Sequence, residues 1–344
     1  MSESDRNKDL SIQIAWMAYI GGHTQASIAE RYGLSRAKVN RLISQAHESG
    51  YVHVFIDHSP QRLIEMGDRI AAQYGLGHCT VVPEVETDAS SHGSVAALGS
   101  AAAYYLTNRL NHGDIRTLGV SWGRSLAEMA RRLPRERRPN LAVASVMGSL
   151  TLKSAINPFD VVHRITDIID ASGFFIPVPF IADSVADRDV LIQQRSVHDA
   201  LERARQAELC CVGIGAIRSD QPMFMADHGL LAGDEQTMLT NAGAVGELVG
   251  RFVDVDGNEV DVELNRRILG LSIDELRARE TVAVAGGVGK IDAIRAVLNT
   301  GALSGLIVDE NAADQLCESA EADGHDAVSR GKSGLSARNL EEDL

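Results

Sequence analysis

The sequence predicts an α/β protein in which an N-terminal winged helix-turn-helix precedes a larger domain built on a mostly parallel sheet. Residues 24–50 combine apolar side chains at helical spacing with turn and cap residues. Beyond residue 75, short apolar runs of strand length alternate with segments of helical periodicity. That alternation is typical of a parallel sheet covered on both faces. We assign residues 1–58 to the first domain, 59–320 to the second and 321–344 to a flexible tail.

Two helices joined by a tight turn are predicted at residues 24–50, after a first helix over residues 8–20. Thr24 and Ser35 are of the type that caps helix N-termini, and Gly33 supplies the turn between the helices. A glycine turn followed by a cap lets two short helices cross steeply, the geometry that places the second helix in a DNA major groove. The alternating residues 51–57 predict a short strand beside it, the wing.

The polar side chains of these helices are those that contact nucleic acid. Arginine and lysine meet phosphates or guanine edges, asparagine pairs with adenine, and a helix start faces phosphates. The residues predicted to bind DNA are Gln25, Ser35, Arg36, Lys38, Asn40 and Arg41. The alternative is a three-helix bundle whose basic face is only solvated.

Net charge distinguishes the two parts of the chain. The 344 residues carry a formal net charge of -14, which does not suit a protein that coats nucleic acid indiscriminately. Residues 24–47 are the exception, because they hold four basic residues and one acid. The profile indicates a small basic reader attached to a larger acidic body.

The cysteines and the hydropathy pattern indicate the compartment. The 4 cysteines form no CxxC pair, which favours reduced, buried thiols over a metal or disulfide site. No apolar run approaches the roughly 18 residues of a membrane span. We therefore expect a cytoplasmic protein with no membrane contact, no metal and no cofactor.

Strands and helices alternate through the second domain. The predicted strands are residues 79–83, 117–121, 141–147, 174–177, 209–214, 281–285 and 306–308. The predicted helices are residues 61–74, 94–110, 125–133, 158–172, 188–205, 235–241 and 291–299. A hairpin is predicted over residues 252–262, turning at Asp256 and Gly257.

Glycine-containing loops follow four of the predicted strands. They are residues 119–125, 148–151, 213–215 and 285–290. In a parallel sheet the carboxyl ends of the strands share one edge, where ligands bind, often on helix N-termini. In the first loop, backbone amides with Ser121, Arg124 and Ser125 form a cradle for an anion such as a sugar phosphate. Each loop alone is more often a tight connection, but the four together predict a pocket.

None of these loops matches a nucleotide-binding fingerprint. The glycines of residues 213–215 are followed by Arg218 where the dinucleotide motif needs glycine, and Ile291 stands where an ATPase loop needs serine or threonine. Lys290 at a helix start opposes the helix dipole, which an anion-binding loop tolerates. Glu247 either accepts hydrogen bonds from ligand hydroxyls or is a capping or solvated carboxylate.

The ordered motifs resemble those of the SorC/DeoR-type sugar-binding transcriptional regulators of bacteria. They are YGLSRAKVNRLISQAHESGYVHVFI, GVSWGRSL, VMGSLT, VGIGAI, GAVGELVGRFVDVDGNEV and AGGVGKIDAIRAVL, over residues 11–317. The resemblance implies an effector domain similar to phosphosugar isomerases in a repressor or activator of a carbohydrate or polyol catabolic operon. The implied partners are operator DNA, a sugar, polyol or sugar-phosphate effector, and further copies of the chain in a dimer or tetramer.

The resemblance also assigns effector-binding roles by position. It implies that Ser121, Gly123, Arg124 and Ser125 line the phosphate end of the ligand, that Gly148 and Ser149 border it, and that Glu247 and Lys290 contact its hydroxyls or phosphate.

An enzyme is the alternative function, because an isomerase-like fold can also catalyse. Sugar-phosphate isomerases need a carboxylate base and a second group that handles the carbonyl. Acids occur within residues 183–189 and at Asp227, beside His228, but no spacing defines a base–acid pair. A third alternative is an aldehyde sensor in which Lys153 forms a Schiff base. The motif set favours a regulator without catalytic residues.

Overall fold

The N-terminal part of the chain folds into three helices, α1 (Glu3–Ala15), α2 (Gln25–Tyr32) and α3 (Arg36–Glu48). The computed structural model describes residues 3–52, 54, 59–84, 92–149, 158–217, 231, 233–287 and 289–318. Between α1 and α2 the chain makes one π-helical turn, Trp16–Ile20, so the helix predicted over residues 8–20 changes its geometry in its last turn. We call residues 3–50 the reader.

Cap and turn residues create the crossing of α2 and α3, as the sequence predicts. The Thr24 hydroxyl accepts a hydrogen bond from the Ser27 N–H at 3.2 Å, and the Ser35 hydroxyl accepts one from the Lys38 N–H at 3.2 Å. Gly33 ends α2 with a φ of 64°, a left-handed conformation that glycine adopts without strain. The helix-turn-helix is therefore present.

A small apolar core holds the three reader helices together. Its buried members are Ile14, Ile28, Ala29, Val39, Leu42 and Ile43. They come from all three helices at helical spacing, so each helix contributes one apolar face. The wing predicted at residues 51–57 is not a strand at residues 51, 52 and 54, and its other residues lie outside the described ones. The predicted tail at residues 321–344 also lies outside them.

Beyond the reader, helices and strands alternate in an α/β body (residues 61–318). Its strands are β1 (His78–Val82), β2 (Thr117–Val120), β3 (Ala142–Ser149), β4 (Ser172–Pro179), β5 (Leu209–Val212), β6 (Ile214–Ala216), β7 (Gly246–Leu248), β8 (Arg251–Val253), β9 (Glu280–Ala285) and β10 (Gly305–Asp309). Its helices are α4 (Gln61–Tyr74), α5 (His92–His112), α6 (Arg124–Arg132), α7 (Pro158–Ile169), α8 (Val185–Gln193), α9 (Arg195–Arg205), α10 (Gly233–Asn241), α11 (Glu263–Arg267), α12 (Ile273–Arg277), α13 (Ile291–Asn299) and α14 (310–318).

Within the described residues, the main sheet has seven strands in the order β1-β10-β9-β5-β2-β3-β4, and every neighbouring pair is parallel. Buried apolar side chains from helices pack on both faces, which confirms the prediction of a covered parallel sheet. The chain runs outward from β2 to β4 on one side and from β5 through β9 to β10 on the other. The order therefore reverses between β2 and β5, the switch point at which such sheets open a crevice.

Two predicted elements differ from the observed ones, and a third is shorter than predicted. The strand predicted over residues 209–214 divides at Gly213 into β5, in the main sheet, and β6, in a three-stranded sheet of order β6-β7-β8. The hairpin predicted at residues 252–262 is present in a short form, because β8 pairs with the preceding β7 and Val253 also forms an antiparallel bridge to Glu259 across the turn of residues 254–258. The helix predicted at residues 188–205 is two helices, since Gln194 is extended at φ -64° and ψ 130°.

Close packing joins α4, which follows the reader, to the body. Gly67 of this helix faces the backbone of β1 so closely that a Cβ atom there would lie 2.6 Å from the carbonyl oxygen of Cys79. We expect Gly67→Ala to lower the free energy of unfolding by roughly 1–3 kcal/mol, because a backbone carbonyl cannot move aside. Thermal and urea unfolding measure the loss, and Gln73→Ala on the exposed side of α4 is the control. A Gly67→Ala protein as stable as the parent would contradict this packing.

Candidate effector site and nucleic-acid interface

The N-terminal half of α3 presents a polar surface without acids. Among the residues predicted to bind DNA, Gln25, Ser35, Arg36, Asn40 and Arg41 are exposed and Lys38 is partly buried. Val39 and Leu42 of the same helix point into the reader core. The first turn of α3 contains no acidic residue. A helix that buries one face and exposes arginine, lysine and asparagine on the other has the chemistry for phosphates and base edges.

Two of these side chains also have roles within the reader. The Gln25 side-chain amide donates to Asn40 Oδ1 at 3.2 Å, which links the start of α2 to the middle of α3. The Ser35 hydroxyl is the N-cap of α3. The side-chain N–H groups of Asn40 can therefore donate to another acceptor. The Ser35 hydroxyl stabilises the start of α3, the helix that carries Arg36 and Arg41.

The four glycine-containing loops lie side by side along one edge of the main sheet. They follow β9, β5, β2 and β3, which are consecutive in the strand order, and all these strands run in the same direction. The loops after β5 and β2 flank the switch point. We call this margin, from residues 148–149 to residues 286–290, the carboxyl edge.

Direct hydrogen bonds connect the loops on the two sides of the switch point. The Ser121 N–H donates to the Cys211 carbonyl at 3.0 Å, and the Ser121 hydroxyl accepts from the Gly213 N–H at 3.1 Å. A Cβ atom on Gly213 would lie 3.2 Å from the Trp122 carbonyl oxygen. These contacts divide β5 from β6, and they commit the buried Ser121 hydroxyl to the loop itself.

A glycine of unusual conformation begins α6 at the centre of the carboxyl edge. Gly123, the N-cap residue of α6, has a φ of 144° and a ψ of 161°, a backbone conformation that residues other than glycine rarely adopt. No side chain caps this helix N-terminus. The first N–H groups of α6 therefore lack an intrahelical acceptor and face outward with the positive end of the helix dipole. Arg124 is exposed and Ser125 is partly buried beside them.

Gly148 and Ser149 end β3 and pair with β4. A Cβ atom on Gly148 would lie 2.8 Å from the backbone of Phe180, so glycine is required there for packing. The Ser149 carbonyl accepts from the Phe180 N–H at 2.8 Å, and its side chain is partly buried. The Trp122 ring is buried against Phe180 in an edge-to-face contact with centroids 5.8 Å apart, so this stack supports the floor of the carboxyl edge.

A buried carboxyl group and a lysine face each other across the small sheet and the last glycine loop. Glu247 lies on β7 with 8% of its surface exposed, and its carboxyl group accepts a hydrogen bond from the Gly250 N–H. Lys290 precedes α13, and its ammonium group donates to the Ile214 carbonyl at 3.0 Å. These two residues, 43 positions apart in the numbering, thus meet at β6.

The pKa values of both groups report this environment. Burial raises the pKa of Glu247 to about 7, against the opposing effects of the Gly250 N–H and the positive charge of Lys290. Burial also lowers the pKa of Lys290, as does the positive charge of Arg124, while Glu247 and Asp309 oppose that change. Arg124, Lys290, Glu247 and Asp309 therefore share one electrostatic environment at the carboxyl edge.

Asp309 is a buried residue at the carboxyl edge that the sequence patterns did not single out. It ends β10, is 3% exposed, and accepts hydrogen bonds from the Ser94 hydroxyl at 2.6 Å and the Ala312 N–H at 2.9 Å. A Cβ atom on Gly286 would collide with its carboxylate, so Asp309 lies directly under the last glycine loop. An acid immediately after the apolar strand at residues 305–308 is the signal that identifies it.

The pH dependence of stability tests the burial of Glu247. Between pH 4.5 and about 7 the unfolded carboxyl group loses its proton while the folded one keeps it. The folded state then binds more protons, so the free energy of unfolding falls as pH rises through this window, by roughly 1–3 kcal/mol, and levels above it. Glu247→Gln should remove that decline in urea unfolding between pH 5 and 8. The exposed Glu263→Gln is the control, and a decline that survives in Glu247→Gln would contradict the assignment.

The candidate catalytic groups do not form a site among the described residues. Asp187 exchanges hydrogen bonds with Ser184 at the start of α8, and Asp189 pairs with Arg188 at 2.9 Å. Asp227, His228 and Lys153 lie outside the described residues.

Within the part of the chain that the structure describes, no group of three or more His, Cys, Asp or Glu side chains is arranged to hold a metal ion. None of the described helices is long and apolar enough to cross a membrane.

Known proteins with this sequence pattern are transcriptional regulators. The erythritol catabolism regulatory protein EryD of Brucella abortus is 36% identical over 313 residues, covering 91% of this chain and 98% of that protein. The transcriptional regulator LsrR of Klebsiella pneumoniae is 30% identical over 312 residues, covering 89% and 92%. The deoxyribonucleoside regulator of Bacillus subtilis is 27% identical over 316 residues, covering 91% and 98%.

Solved structures show the same fold. The full-length sorbitol operon regulator SorC from Klebsiella pneumoniae matches with a TM-score of 0.66 and 22% identity, over 90% of this chain and 99% of that one. A DeoR family transcriptional regulator from Listeria monocytogenes matches with a TM-score of 0.68 and 21% identity, over 74% and 100%.

A family model agrees with these relatives. Residues 58–318 match the model described as "Putative sugar-binding domain". The relatives are regulators and not enzymes, so this chain is a transcriptional regulator and the isomerase alternative is set aside. The chain belongs to the SorC/DeoR-type family of sugar-binding transcriptional regulators.

Proposed function

We propose that this regulator controls an operon for the catabolism of a sugar or small polyol, and that a sugar, polyol or sugar phosphate bound at the carboxyl edge changes its affinity for operator DNA. The observation that carries the proposal is the alignment of four glycine-containing loops on neighbouring strands around the switch point. Similarity to a regulator of erythritol catabolism supports a polyol or its phosphate as the effector class.

Effector recognition in this proposal divides the carboxyl edge into two parts. The N-terminus of α6, with Gly123, Arg124 and Ser125, holds the anionic end of the ligand, because helix N-terminal amides and a cation favour a phosphate. The buried Ser121 hydroxyl supports this loop through its hydrogen bond with the Gly213 N–H. Lys290 adds a second cation, and Glu247 accepts hydrogen bonds from hydroxyl groups. Gly148 and Ser149 border the ligand beside β3. The cations and the buried carboxyl group together suit a ligand that carries both hydroxyls and a negative charge.

DNA recognition uses the exposed surface of the reader. Arg36 and Asn40 contact base edges, while Gln25, Ser35, Lys38 and Arg41 contact phosphates and fix the register. The acidic remainder of the chain gives the whole protein a net charge of -14, which keeps it away from non-specific DNA. Residues 1–58 act as the reading domain, residues 59–320 as the sensing domain and residues 321–344 as a tail.

The proposed mechanism requires more than one copy of the chain. Two readers in a cytoplasmic homo-oligomer, a dimer or a tetramer, bind half-sites separated by about one helical turn of DNA or a multiple of it. Ligand that closes the carboxyl edge shifts the packing of the subunits and hence the spacing of the paired α3 helices. The ligand changes operator affinity only if it binds one arrangement better than the other.

A ligand screen tests the proposed function. The full chain is melted in the presence of tetritols, pentitols, hexoses and their phosphates, since a ligand of the folded state raises the melting temperature by mass action. Hits are then added to operator DNA, selected from random duplexes by the protein itself, and the dissociation constant is measured. Arg124→Gln should weaken phosphorylated hits more than neutral ones. Failure of every compound to stabilise the protein or to alter operator affinity would refute the sensor role.

A further inference from the structure

A cleft separates the end of the reader from two helices of the body. Its volume is about 310 Å³, and it is lined by Ser49 and Gly50, which follow α3, and by side chains of the α6 and α7 region. Those side chains are Arg131, Leu133, Arg135, His163, Arg164, Asp167 and Ile168. The cleft is distinct from the carboxyl edge, because it lies at the opposite end of α6 from Gly123.

The charge of this cleft is strongly positive in a chain that is acidic as a whole. Arg131, Arg135 and Arg164 face it, against one lining acid, Asp167, which lies 3.7 Å from His163. Among the residues that the structure describes, the side chains of Arg135 and Arg164 make no hydrogen bond or ion pair. Arg131 contacts Glu128, yet burial and the nearby charge of Arg164 lower its pKa. Arg131 and Arg164 therefore repel each other in a recess whose positive charge an anion would neutralise.

We propose that this cleft binds a small phosphorylated metabolite, which clamps the reader to the body. Its volume suits one small ligand. Guanidinium groups bind phosphate oxygens through paired, charge-assisted hydrogen bonds. Three guanidinium groups around one recess therefore suit a ligand with two negative charges. Duplex DNA needs an open surface that follows the backbone, so a recess favours the small molecule as the source of phosphate.

The position of the cleft gives the clamp a regulatory role. Helix α6 begins at the carboxyl edge and ends at the cleft after 9 residues, a span of about 13 Å. The cleft also includes the backbone that follows α3, the proposed recognition helix. An anion held there fixes the orientation of the reader relative to α6. This site goes beyond the proposed function, because it responds to a second ligand at a second place.

Inorganic pyrophosphate is the probe for the test, used with the full-length chain at constant ionic strength set by sodium chloride. Binding is measured by calorimetry and by the shift in melting temperature. Lys290→Met is made first, to weaken phosphate binding at the carboxyl edge. The double replacement Arg135→Gln and Arg164→Gln then removes two cleft cations, and the exposed Arg195→Gln is the control for the loss of a positive charge elsewhere on the body.

The expected result is saturable binding of pyrophosphate to the Lys290→Met protein, weakened about tenfold or more by the double replacement and unchanged by Arg195→Gln. Equal binding with and without the cleft arginines, or no saturable binding to Lys290→Met, would overturn the proposal. If the double replacement leaves pyrophosphate binding intact but reduces the salt dependence of operator binding, the arginines contact the DNA backbone and the proposal is also wrong. Polyol sensing at the carboxyl edge is measured separately, in the ligand screen described above, so either proposal can fail without the other.

Discussion

Replacing Arg36 and Asn40 together with alanine is expected to weaken operator binding by roughly 2–6 kcal/mol, since each base-edge contact contributes about 1–3 kcal/mol. Both side chains are exposed on the first turns of α3, and neither belongs to the reader core. The fold should therefore persist, and the loss should appear in fluorescence anisotropy with labelled operator. The single replacements should each give part of the effect.

Specificity separates this prediction from a loss of general electrostatic attraction. Arg6→Ala on α1 removes an equal charge from an exposed position of the reader and is the control. Asn40→Ala should relax the preference for one base pair, whereas Arg6→Ala should leave the preferred sequence unchanged. Normal operator affinity in the Arg36 and Asn40 variants would show that another surface reads the DNA.

Replacing Lys290 with methionine is expected to remove the response to a phosphorylated effector. Loss of a partly desolvated cation facing an anion costs about 2–4 kcal/mol, which is a 30-fold to 1,000-fold rise in the effector dissociation constant. Methionine retains the length of the side chain and loses only the charge and the hydrogen bond to the Ile214 carbonyl. Operator affinity without effector should stay at the parent value, because the groups that Lys290 interacts with all belong to the body: Ile214, Arg124, Glu247 and Asp309.

Calorimetry with the stabilising ligand measures this change directly. Arg266→Met, at an exposed position of the body, is the control for loss of one positive charge. A neutral polyol effector should lose less affinity than its phosphate, since only the charged ligand depends on the ammonium group. Unchanged affinity for both ligands in Lys290→Met would place the effector elsewhere.

Local sequence preferences were sufficient to predict the reader helices and the strands of the main sheet. Thr24, Gly33 and Ser35 have cap and turn preferences that act within a few residues, so the helix-turn-helix follows from the sequence. The apolar runs at residues 281–285 and 306–308 are strands because both faces of the sheet are buried. Once those strands are parallel, the shared edge of the glycine loops follows from geometry alone.

Tertiary contacts determine the features that the sequence did not predict. The apolar run at residues 209–214 has no break in hydropathy, and it leaves the main sheet where the loop after β2 contacts it, at the hydrogen bonds of Ser121 with Cys211 and Gly213. From the sequence, Glu247 could be either a ligand contact or a capping or solvated carboxylate. In the structure it lies on β7 in a buried position. The meeting of Glu247 with Lys290 depends on that small sheet, which no local pattern indicates.

Two irregular helices also depend on their tertiary contacts. Amphipathic spacing continues through residues 188–205, but Gln194 turns out of the helix where α8 ends and α9 begins to pack on β4. The apolar residues of Trp16–Ile20 fit a helix of either pitch, and the structure adopts the wider π-helical turn. Periodicity identifies the segment and its apolar face, whereas the exact backbone depends on its neighbours.

The most direct test of the account is the operator dissociation constant of the full chain, measured with and without the polyol or sugar phosphate that raises its melting temperature most. Coupling between the carboxyl edge and the reader predicts a change of about fivefold or more, in the range of typical allosteric coupling, and Lys290→Met should abolish the change for a phosphate. A ligand that stabilises the protein strongly and leaves operator affinity the same would contradict it.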